Sequence, residues 1–392
     1  MAVCTFLGHR DVYDADIECR LQTAVDMVAS ENETVEFWLY PDGTFFNYCL
    51  LAVLRAKKQS PQKIRICLVA DESQYRKLMR QEPESVPACM FDRVVLCRTD
   101  DTKSSDVTMP YKTLLRHVVQ KSTYVISYLY QRLYEPENHV LSFAAKNPKI
   151  RILSVTSPET EQAIMENAAQ MSEREQCVFQ KMNEGCTLKE TGALLGVGRE
   201  RARQMLASGC RTVRHILQVR FAKESARLGN TNRSCGIFAL GGENYKLMKR
   251  FKHIVDFLAE AFHVKRFYIE QPYANSGYMI ALKEWQPIYR AFHLTAVTDE
   301  EMFSEHGHED LTTRFCPPCN AVSCVSWPGT DDDLTDLRII ADIIGRSDFC
   351  IFNSSALPQS ARIEQCLCQK NQTVFLDTDM PDVIDDPGKG KG

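Results

Sequence analysis

The 392-residue sequence has no apolar run of the roughly 18 to 20 residues that a membrane-spanning helix needs. Its first ten residues lack a basic segment followed by a long apolar stretch, so we expect no export signal and a cytoplasmic protein without membrane partners. A large excess of one charge is also missing, because the sequence has 47 Lys and Arg and 51 Asp and Glu. With 44% hydrophobic residues, the composition predicts a globular protein of two or three domains.

A second C-x-x-C pair is absent as well. Cys316 and Cys319 have the spacing of half a zinc knuckle, and Cys324, His306 and His308 lie nearby. Without the second pair we assign no metal ligand, and reduced loop cysteines are the alternative to a metal site. Most of the 16 cysteines lie inside apolar strand or helix patterns, which is typical of reduced core residues.

The strongest local signals that are present lie in residues 172–219, where three amphipathic helices are expected. Two capping boxes mark the first two starts: Ser172 with Glu175, and Thr187 with Glu190. Gly185 and Gly196 are expected to end these helices, and the third begins near Gly198. This order fits a helix-turn-helix.

The expected third helix has an apolar and a polar side. The apolar positions are Ala202, Met205, Leu206, Val213, Ile216 and Leu217; those of the second helix are Leu188, Thr191, Leu194 and Leu195. The polar side carries Arg199, Glu200, Arg203 and Gln204, which we call the reading residues. Arginine can bind guanine, glutamine can bind adenine, and glutamate can accept a hydrogen bond from cytosine.

Local charge also favours DNA as the partner of this module. Residues 172–220 hold nine Lys and Arg against five Asp and Glu, a charge of +4 (9 − 5) in a chain of net charge −4. The alternative is a charged, solvated helix in a three-helix packing module.

The run from residue 171 to 214 resembles the region 4 DNA-binding domain of sigma-70-type RNA polymerase sigma factors. The family pattern T-L-x-E-I-G-x-x-L-G-V-S-R-E-R-V-R-Q-I stands here as TLKETGALLGVGRERARQM at 187–205. The resemblance implies that promoter contacts fall on the four reading residues. Thr191 replaces the family's isoleucine, and Gly198 replaces the usual Ser or Thr N-cap.

On both sides of this module, apolar strand patterns alternate with amphipathic helices, which is typical of a parallel sheet wound by helices. In the first flank, strands are predicted at 3–7, 35–39, 64–69, 93–97, 124–127 and 150–155. The second flank repeats the first: Cys4 is echoed by Cys235, Phe37 by Phe267 and Ser122 by Ser347.

These patterns predict an α/β fold with two Rossmann-like parallel-sheet domains flanking an all-α helix-turn-helix module. The expected boundaries are 1–157 for the first sheet domain, 171–222 for the helix-turn-helix, 234–380 for the second sheet domain and 381–392 for a disordered tail, with linkers at 158–170 and 223–233.

In a wound parallel sheet, ligands bind beyond the carboxyl ends of the strands. In the first flank those ends carry two short sets of residues: Gly8, His9 and Arg10, then Asp42, Gly43 and Thr44. Tight glycine turns, backbone N–H groups at the following helices and the positive charge of His9 and Arg10 favour a phosphate-bearing ligand. The alternative is a pair of ordinary strand–helix loops.

A strand that ends in G-H-R, followed by a second strand and a glycine-containing turn, resembles the SLOG superfamily of Rossmann-like domains. That group includes the Lonely-Guy phosphoribohydrolases and the DprA proteins, and the resemblance spans 1–157 and, more weakly, 234–380. It implies a nucleotide-derived ligand and no certain cofactor. The hydrolases carry catalytic glutamates in G-G-x-x-G-T-x-x-E, whereas residues 40–47 read YPDGTFFN, and 271–277 lack an acid too. We therefore assign no catalytic residue.

The sequence as a whole predicts a DNA-binding transcriptional regulator whose helix-turn-helix is controlled by a nucleotide-like ligand. One alternative is an enzyme on nucleotides or nucleosides that uses the helix-turn-helix for localisation, and another is a protein that contacts RNA polymerase without reading DNA. We expect no complete sigma factor, because a stretch like the family's region 2 is missing. A homodimer is one option, since helix-turn-helix proteins often read paired half-sites.

Overall fold

The structure is a computed structural model. It describes residues 1–80, 86–97, 111–227, 233–240, 245–270, 293–299, 321–325, 335–352, 374–377 and 382–385. In these ranges every described strand pair is parallel, and the fold is α/β, as the sequence predicts. Within these ranges no helix has the length and hydropathy of a membrane span.

The described strands form one sheet of seven and one of six strands. They are β1 Ala2–Gly8, β2 Val35–Leu39, β3 Ile64–Ala70, β4 Arg93–Leu96, β5 Tyr124–Tyr128, β6 Arg151–Ser154, β7 Arg233–Ile237, β8 Val264–Glu270, β9 His293–Asp299, β10 Ala321–Val325, β11 Phe349–Phe352, β12 Val374–Asp377 and β13 Asp382–Asp385. The six strands predicted for the first flank are all confirmed, within a residue or two at their ends.

The described α-helices are α1 Ile17–Glu31, α2 Gly43–Gln59, α3 Glu72–Arg80, α4 Tyr111–Lys121, α5 Pro136–Ala145, α6 Pro158–Asn167, α7 Glu173–Asn183, α8 Leu188–Leu194, α9 Arg199–Arg227, α10 Tyr245–Phe262 and α11 Thr335–Arg346. Two of them correct the expected linkers. Ser157 caps α6 by accepting from the Thr160 N–H, and Pro158 occupies its first turn. The stretch expected to begin the second linker continues α9 as far as Arg227.

Contacts divide the chain into two compact units. The first unit comprises residues 1–52 and 109–229 and contains both the strand order β2-β1-β5-β6 and helices α7 to α9. All five residues of β2 are buried, which suits a central strand covered on both faces. Helix α1 packs with Ile17, Leu21 and Val25 buried, which are spaced by four residues and therefore share one side of the helix.

The second unit comprises residues 53–108 and 230–392 and contains the order β10-β9-β8-β7-β11-β12, as well as the neighbouring strands β3, β4 and β13. The order β8-β7-β11-β12 matches β2-β1-β5-β6 of the first unit. The register matches too, because Cys4 pairs with Phe37 and Cys235 pairs with Phe267. The sequence repeat thus falls on equivalent positions of the two sheets.

The expectation of a disordered tail is wrong for Asp382–Asp385, which forms β13 and pairs with β4 in parallel register. Val383 and Ile384 are β-branched, which favours a strand, and β13 covers one edge of β4. The polar, glycine- and lysine-rich composition of the tail hid this short strand. Residues 386–392 lie outside the described residues.

Candidate functional site

The helix starts expected from the capping boxes are confirmed. Helix α7 follows Ser172, whose N–H donates to Glu175 Oε2 at 3.0 Å. Helix α8 follows Thr187, whose N–H donates to Glu190 Oε2 at 2.7 Å while its hydroxyl accepts from the Glu190 N–H. Each box satisfies backbone groups that have no partner inside the helix.

The turns between the helices depend on glycine. Gly185 and Gly196, expected to end α7 and α8, have φ angles of 94° and 67°, a region that glycine adopts without strain. Gly192 allows the turn before α9 to close, since a Cβ there would lie 2.8 Å from the Val197 carbonyl oxygen. The result is a compact helix-turn-helix built from α8 and α9.

The apolar side of α9 is buried as predicted, except that Ile216 is only half-buried. One prediction for α8 is wrong: Leu194 is 67% exposed. Thr191, another of the positions expected on this side, is fully buried, and its hydroxyl lies 3.9 Å from the Met182 sulfur. The buried residues of α8 are Thr191 and Gly192, whereas Leu194, its last residue, lies in solvent.

The four reading residues are all exposed in the first turns of α9. Arg203 and Glu200 have side chains 58% and 65% exposed and form a bidentate pair, with Nη2–Oε1 at 2.7 Å and Nε–Oε2 at 2.9 Å. Arg201 donates to Gln204 Oε1 at 3.3 Å. The reading residues therefore present hydrogen-bond donors and acceptors on one surface of α9, and Arg203 and Glu200 are paired with each other.

The residues expected to bind a ligand lie close together at the carboxyl ends of β1 and β2, but most of their contacts are with one another and with neighbouring residues. The Arg10 carbonyl accepts from the Phe45 N–H at 3.3 Å, and the Thr44 hydroxyl accepts from the Val12 N–H at 3.2 Å. Gly43 has φ 71°, and a Cβ there would overlap the Arg10 backbone. Thus one N–H at the start of α2 already has a protein partner.

The cavity between these loops is small. It has a volume of about 30 Å³ and is lined by Gly8, His9, Arg10, Asp42 and nine mostly apolar neighbours. This volume holds one or two water molecules, whereas a site for a drug-sized ligand has a volume of roughly 300 to 1,000 Å³. The ring of Phe45 fills the space above Gly8, where a Cβ would overlap it. At the rim, Arg10 Nε lies 3.4 Å from Asp42 Oδ1.

His9 does not supply the positive charge expected from the sequence. It is 1% exposed, and its ring stacks on Tyr130 with centroids 5.7 Å apart. Its Nε2 accepts from the Tyr130 N–H at 2.7 Å, which assigns the proton to Nδ1, 3.8 Å from Glu135 Oε1. Burial lowers the pKa of His9 and outweighs the opposite effect of Glu135, so the ring is neutral near pH 7.

Several carboxylates missed by sequence reasoning lie around these loops. Asp14 is buried, and it binds Arg20 Nη2 at 3.0 Å and the Tyr130 hydroxyl at 2.6 Å. Glu137 is 8% exposed, and burial raises its pKa. Glu135 joins them just before α5. Asp14 follows β1, and Glu135 and Glu137 follow β5; this position beyond the carboxyl ends of strands is the available sequence signal, since ligands bind parallel sheets there.

Helix α9 is docked on the same loops within the first unit. Arg214 Nη2 lies 2.7 Å from Glu135 Oε1 and donates to the Leu133 carbonyl at 2.5 Å. One turn further along, Gln218 donates to Asp11 Oδ2 at 2.9 Å. The helix that carries the reading residues therefore also contacts the strand ends where a ligand was expected.

A larger cleft of about 360 Å³ lies beside the last turns of α9. Its lining residues are Asp14, Ala15, Asp16, Ser157, Glu159, Thr160, Arg220, Glu224 and Arg227. Arg220 is held by Glu224 at 2.7 Å. With carboxylates and guanidinium groups together, the cleft has a size suited to a small ligand and a mixed charge.

No family model matches the chain, and no curated protein matches it. In the described ranges no group of three or more His, Cys, Asp or Glu is arranged to hold a metal ion. Cys316 and Cys319, the side chain of Cys324 and the loop 271–277 lie outside the described residues, so the predictions made for them stay predictions.

Proposed function

We propose that this protein is a DNA-binding transcriptional regulator that inserts the first turns of α9 into the major groove. One observation carries the proposal: Arg199, Glu200, Arg203 and Gln204 are all exposed at the start of the second helix of a compact helix-turn-helix. The resemblance of 171–214 to sigma region 4 supports the same positions. Basic charge concentrated in this module supplies the sequence-independent attraction to phosphate.

The pairing of Arg203 with Glu200 shapes how sequence would be read. The guanidinium fork of Arg203 matches guanine O6 and N7, and Glu200 can accept from a neighbouring cytosine N4. Since both side chains lie in solvent, their mutual bonds exchange readily for bonds to bases. The pair also orients the guanidinium fork on the helix surface before DNA arrives.

Control by a nucleotide-like ligand is the second part of the proposal. It rests on the resemblance of the sheet domains to the SLOG superfamily and on the docking of α9 against strand-end loops of the first unit. The cavity at Gly8 and Asp42 is too small for a nucleotide, so a ligand enters either by moving Phe45 or through the cleft beside Arg220 and Arg227.

The test begins with sequences selected by the protein from random duplexes, followed by fluorescence anisotropy at several salt concentrations. We expect log K to fall linearly with log salt, by about 0.9 per phosphate contact. Arg203→Ala should reduce discrimination at one base pair by about 1 to 3 kcal/mol, roughly 5- to 150-fold. Absence of salt-dependent binding refutes the proposal.

Arg211→Ala is the matched control. Arg211 is exposed on the same helix and lies about 12 Å further along its axis than Arg203. Loss of this charge should weaken binding to all sequences alike and leave the preferred sequence unchanged. Equal effects of the two variants on every sequence would mean that Arg203 contributes charge but does not read bases.

A further inference from the structure

The contact between α9 and the strand-end loops follows one stripe of the helix. Cys210, Arg214 and Gln218 are spaced by four residues and lie on one side. The Cys210 sulfur lies 3.9 Å from the Arg132 carbonyl oxygen, Arg214 binds Glu135 and Leu133, and Gln218 binds Asp11. We call residues 131–135 the docking loop, because they receive the first two of these side chains.

This stripe lies on the same side of α9 as the reading residues. Arg203 and Arg214 are eleven residues apart, which is three helical turns and about 20°, and the separation along the axis is about 17 Å. Helix α9 is continuous from Arg199 to Arg227, so the two positions keep this relation. The docking loop therefore occupies the side from which DNA must approach.

The available space is narrow for a duplex. The first contact of the docking loop, at Cys210, is only about 10 Å along the axis from Arg203. The major groove is about 12 Å wide and 8.5 Å deep, so a sugar-phosphate backbone stands on each side of an inserted helix. A water molecule reaches the reading residues freely, but a duplex seated on them meets the docking loop. Asp11, whose partner Gln218 is neutral, also places a negative charge beside this stripe, which disfavours a phosphate backbone there.

Arg214 makes the main polar bond of this contact. The side chains of Arg214 and Glu135 are only 19% and 24% exposed, which strengthens the pair relative to one in open solvent. Burial alone would raise the pKa of Glu135, yet His9 and the charge of Arg214 hold it below its ordinary value. The second bond of Arg214, to the Leu133 carbonyl, fixes the guanidinium plane against the docking loop.

We propose that the docking of α9 on residues 131–135, held by Arg214 and Glu135, is an autoinhibitory contact that limits access of DNA to the reading residues. It rests on the proposed DNA-binding function. Any ligand that presents a guanidinium-like pair of N–H donors to Glu135 displaces Arg214 and frees the DNA side of α9. Glu135 and the Leu133 carbonyl thus form an acceptor site that the chain's own arginine occupies.

Hydrogen exchange tests the docking without DNA. In Arg214→Ala, backbone amides of residues 130–135 should exchange roughly tenfold faster or more than in the wild type, while those of α7 and α8 keep their rates. Arg211 is exposed and lies outside the stripe, so Arg211→Ala should leave the hydrogen exchange of the docking loop unchanged. Equal exchange of the docking loop in wild type and Arg214→Ala overturns the proposal. If Arg214→Ala fails to fold, Arg214→Lys keeps the charge but loses the planar fork and gives the same test.

DNA affinity supplies the decisive readout. Loss of a positive charge by itself weakens DNA binding, as expected for Arg211→Ala. Arg214→Ala should instead raise affinity by roughly fivefold or more, because the docking loop leaves the DNA side. If Arg214→Ala loosens the docking loop but binds DNA no better than Arg211→Ala, the contact is structural and the autoinhibition is refuted. If neither the wild type nor Arg214→Ala binds DNA, the proposed function fails, and the exchange result still decides the docking.

Discussion

His9 gives the structure a specific dependence of stability on pH. In the folded protein burial lowers its pKa below the ordinary 6.5, so the unfolded chain takes up a proton that the native ring refuses. The free energy of unfolding should therefore decrease as pH falls below 6.5 and continue to do so down to the native pKa of His9. Above pH 6.5 the full stability is present.

The size of the effect follows from one proton. Between the native pKa of His9 and pH 6.5, each pH unit changes the free energy of unfolding by at most about 1.4 kcal/mol, the value for one proton. His9→Gln removes the titration while its amide oxygen can still accept from the Tyr130 N–H. We expect the wild type to lose stability relative to His9→Gln at this rate as pH decreases from 6.5.

Urea unfolding followed by Trp38 fluorescence measures this difference, because Trp38 is buried in β2 of the first unit. Every protein compared also carries Trp285→Phe and Trp327→Phe, so that Trp38 is the only tryptophan that contributes fluorescence. His215→Gln on the exposed side of α9 controls for the loss of a histidine as such. A constant stability difference between the wild type and His9→Gln from pH 7.5 to 5 would refute a buried, neutral His9.

Two further substitutions test the packing of the loops and the start of α8. Gly8→Ala places a methyl group against the ring of Phe45 and should lower the free energy of unfolding by about 1 to 3 kcal/mol. Adding Phe45→Leu should recover part of this loss. An unchanged melting temperature of Gly8→Ala would show that Phe45 moves without cost. Thr187→Ala removes the N-cap of α8 and should cost about 1 kcal/mol, seen as faster hydrogen exchange in α8. Ser142→Ala is the control. It removes a hydroxyl that donates to a carbonyl within α5, and it should leave the hydrogen exchange of α8 unchanged.

The parts of the fold that sequence predicted well are those with local signals. The capping boxes at Ser172 and Thr187 and the glycines at 185 and 196 act within a few residues, so the helix-turn-helix could be drawn before its packing was known. Strands β1 to β6 were equally readable as apolar runs. Helix α6 has a local signal too, since Ser157, Pro158 and two early glutamates mark a helix start inside the segment expected to be a linker.

The candidate site was harder, because its decisive contacts are long-range. Nothing near His9 in the sequence indicates that Tyr130 and Glu135 enclose it, and nothing near Arg214 points to Glu135. The residue types at Gly8 and Gly43 suggested a ligand loop, whereas tight packing against Phe45 and Arg10 also requires glycine there. One pattern thus serves two physical needs, and only the tertiary structure separates them.

Helix α9 ties two surfaces together through its helical phase. An insertion or deletion of one residue between Gln204 and Cys210 would turn the reading residues by about 100° relative to the docking loop, and would move them by about 1.5 Å. Only changes near whole numbers of turns, such as seven or eleven residues, restore the alignment. The length of this segment is therefore constrained in addition to its composition, which is already limited by the buried Met205 and Leu206 and by Gly209, where a Cβ would lie 2.8 Å from the Met171 sulfur.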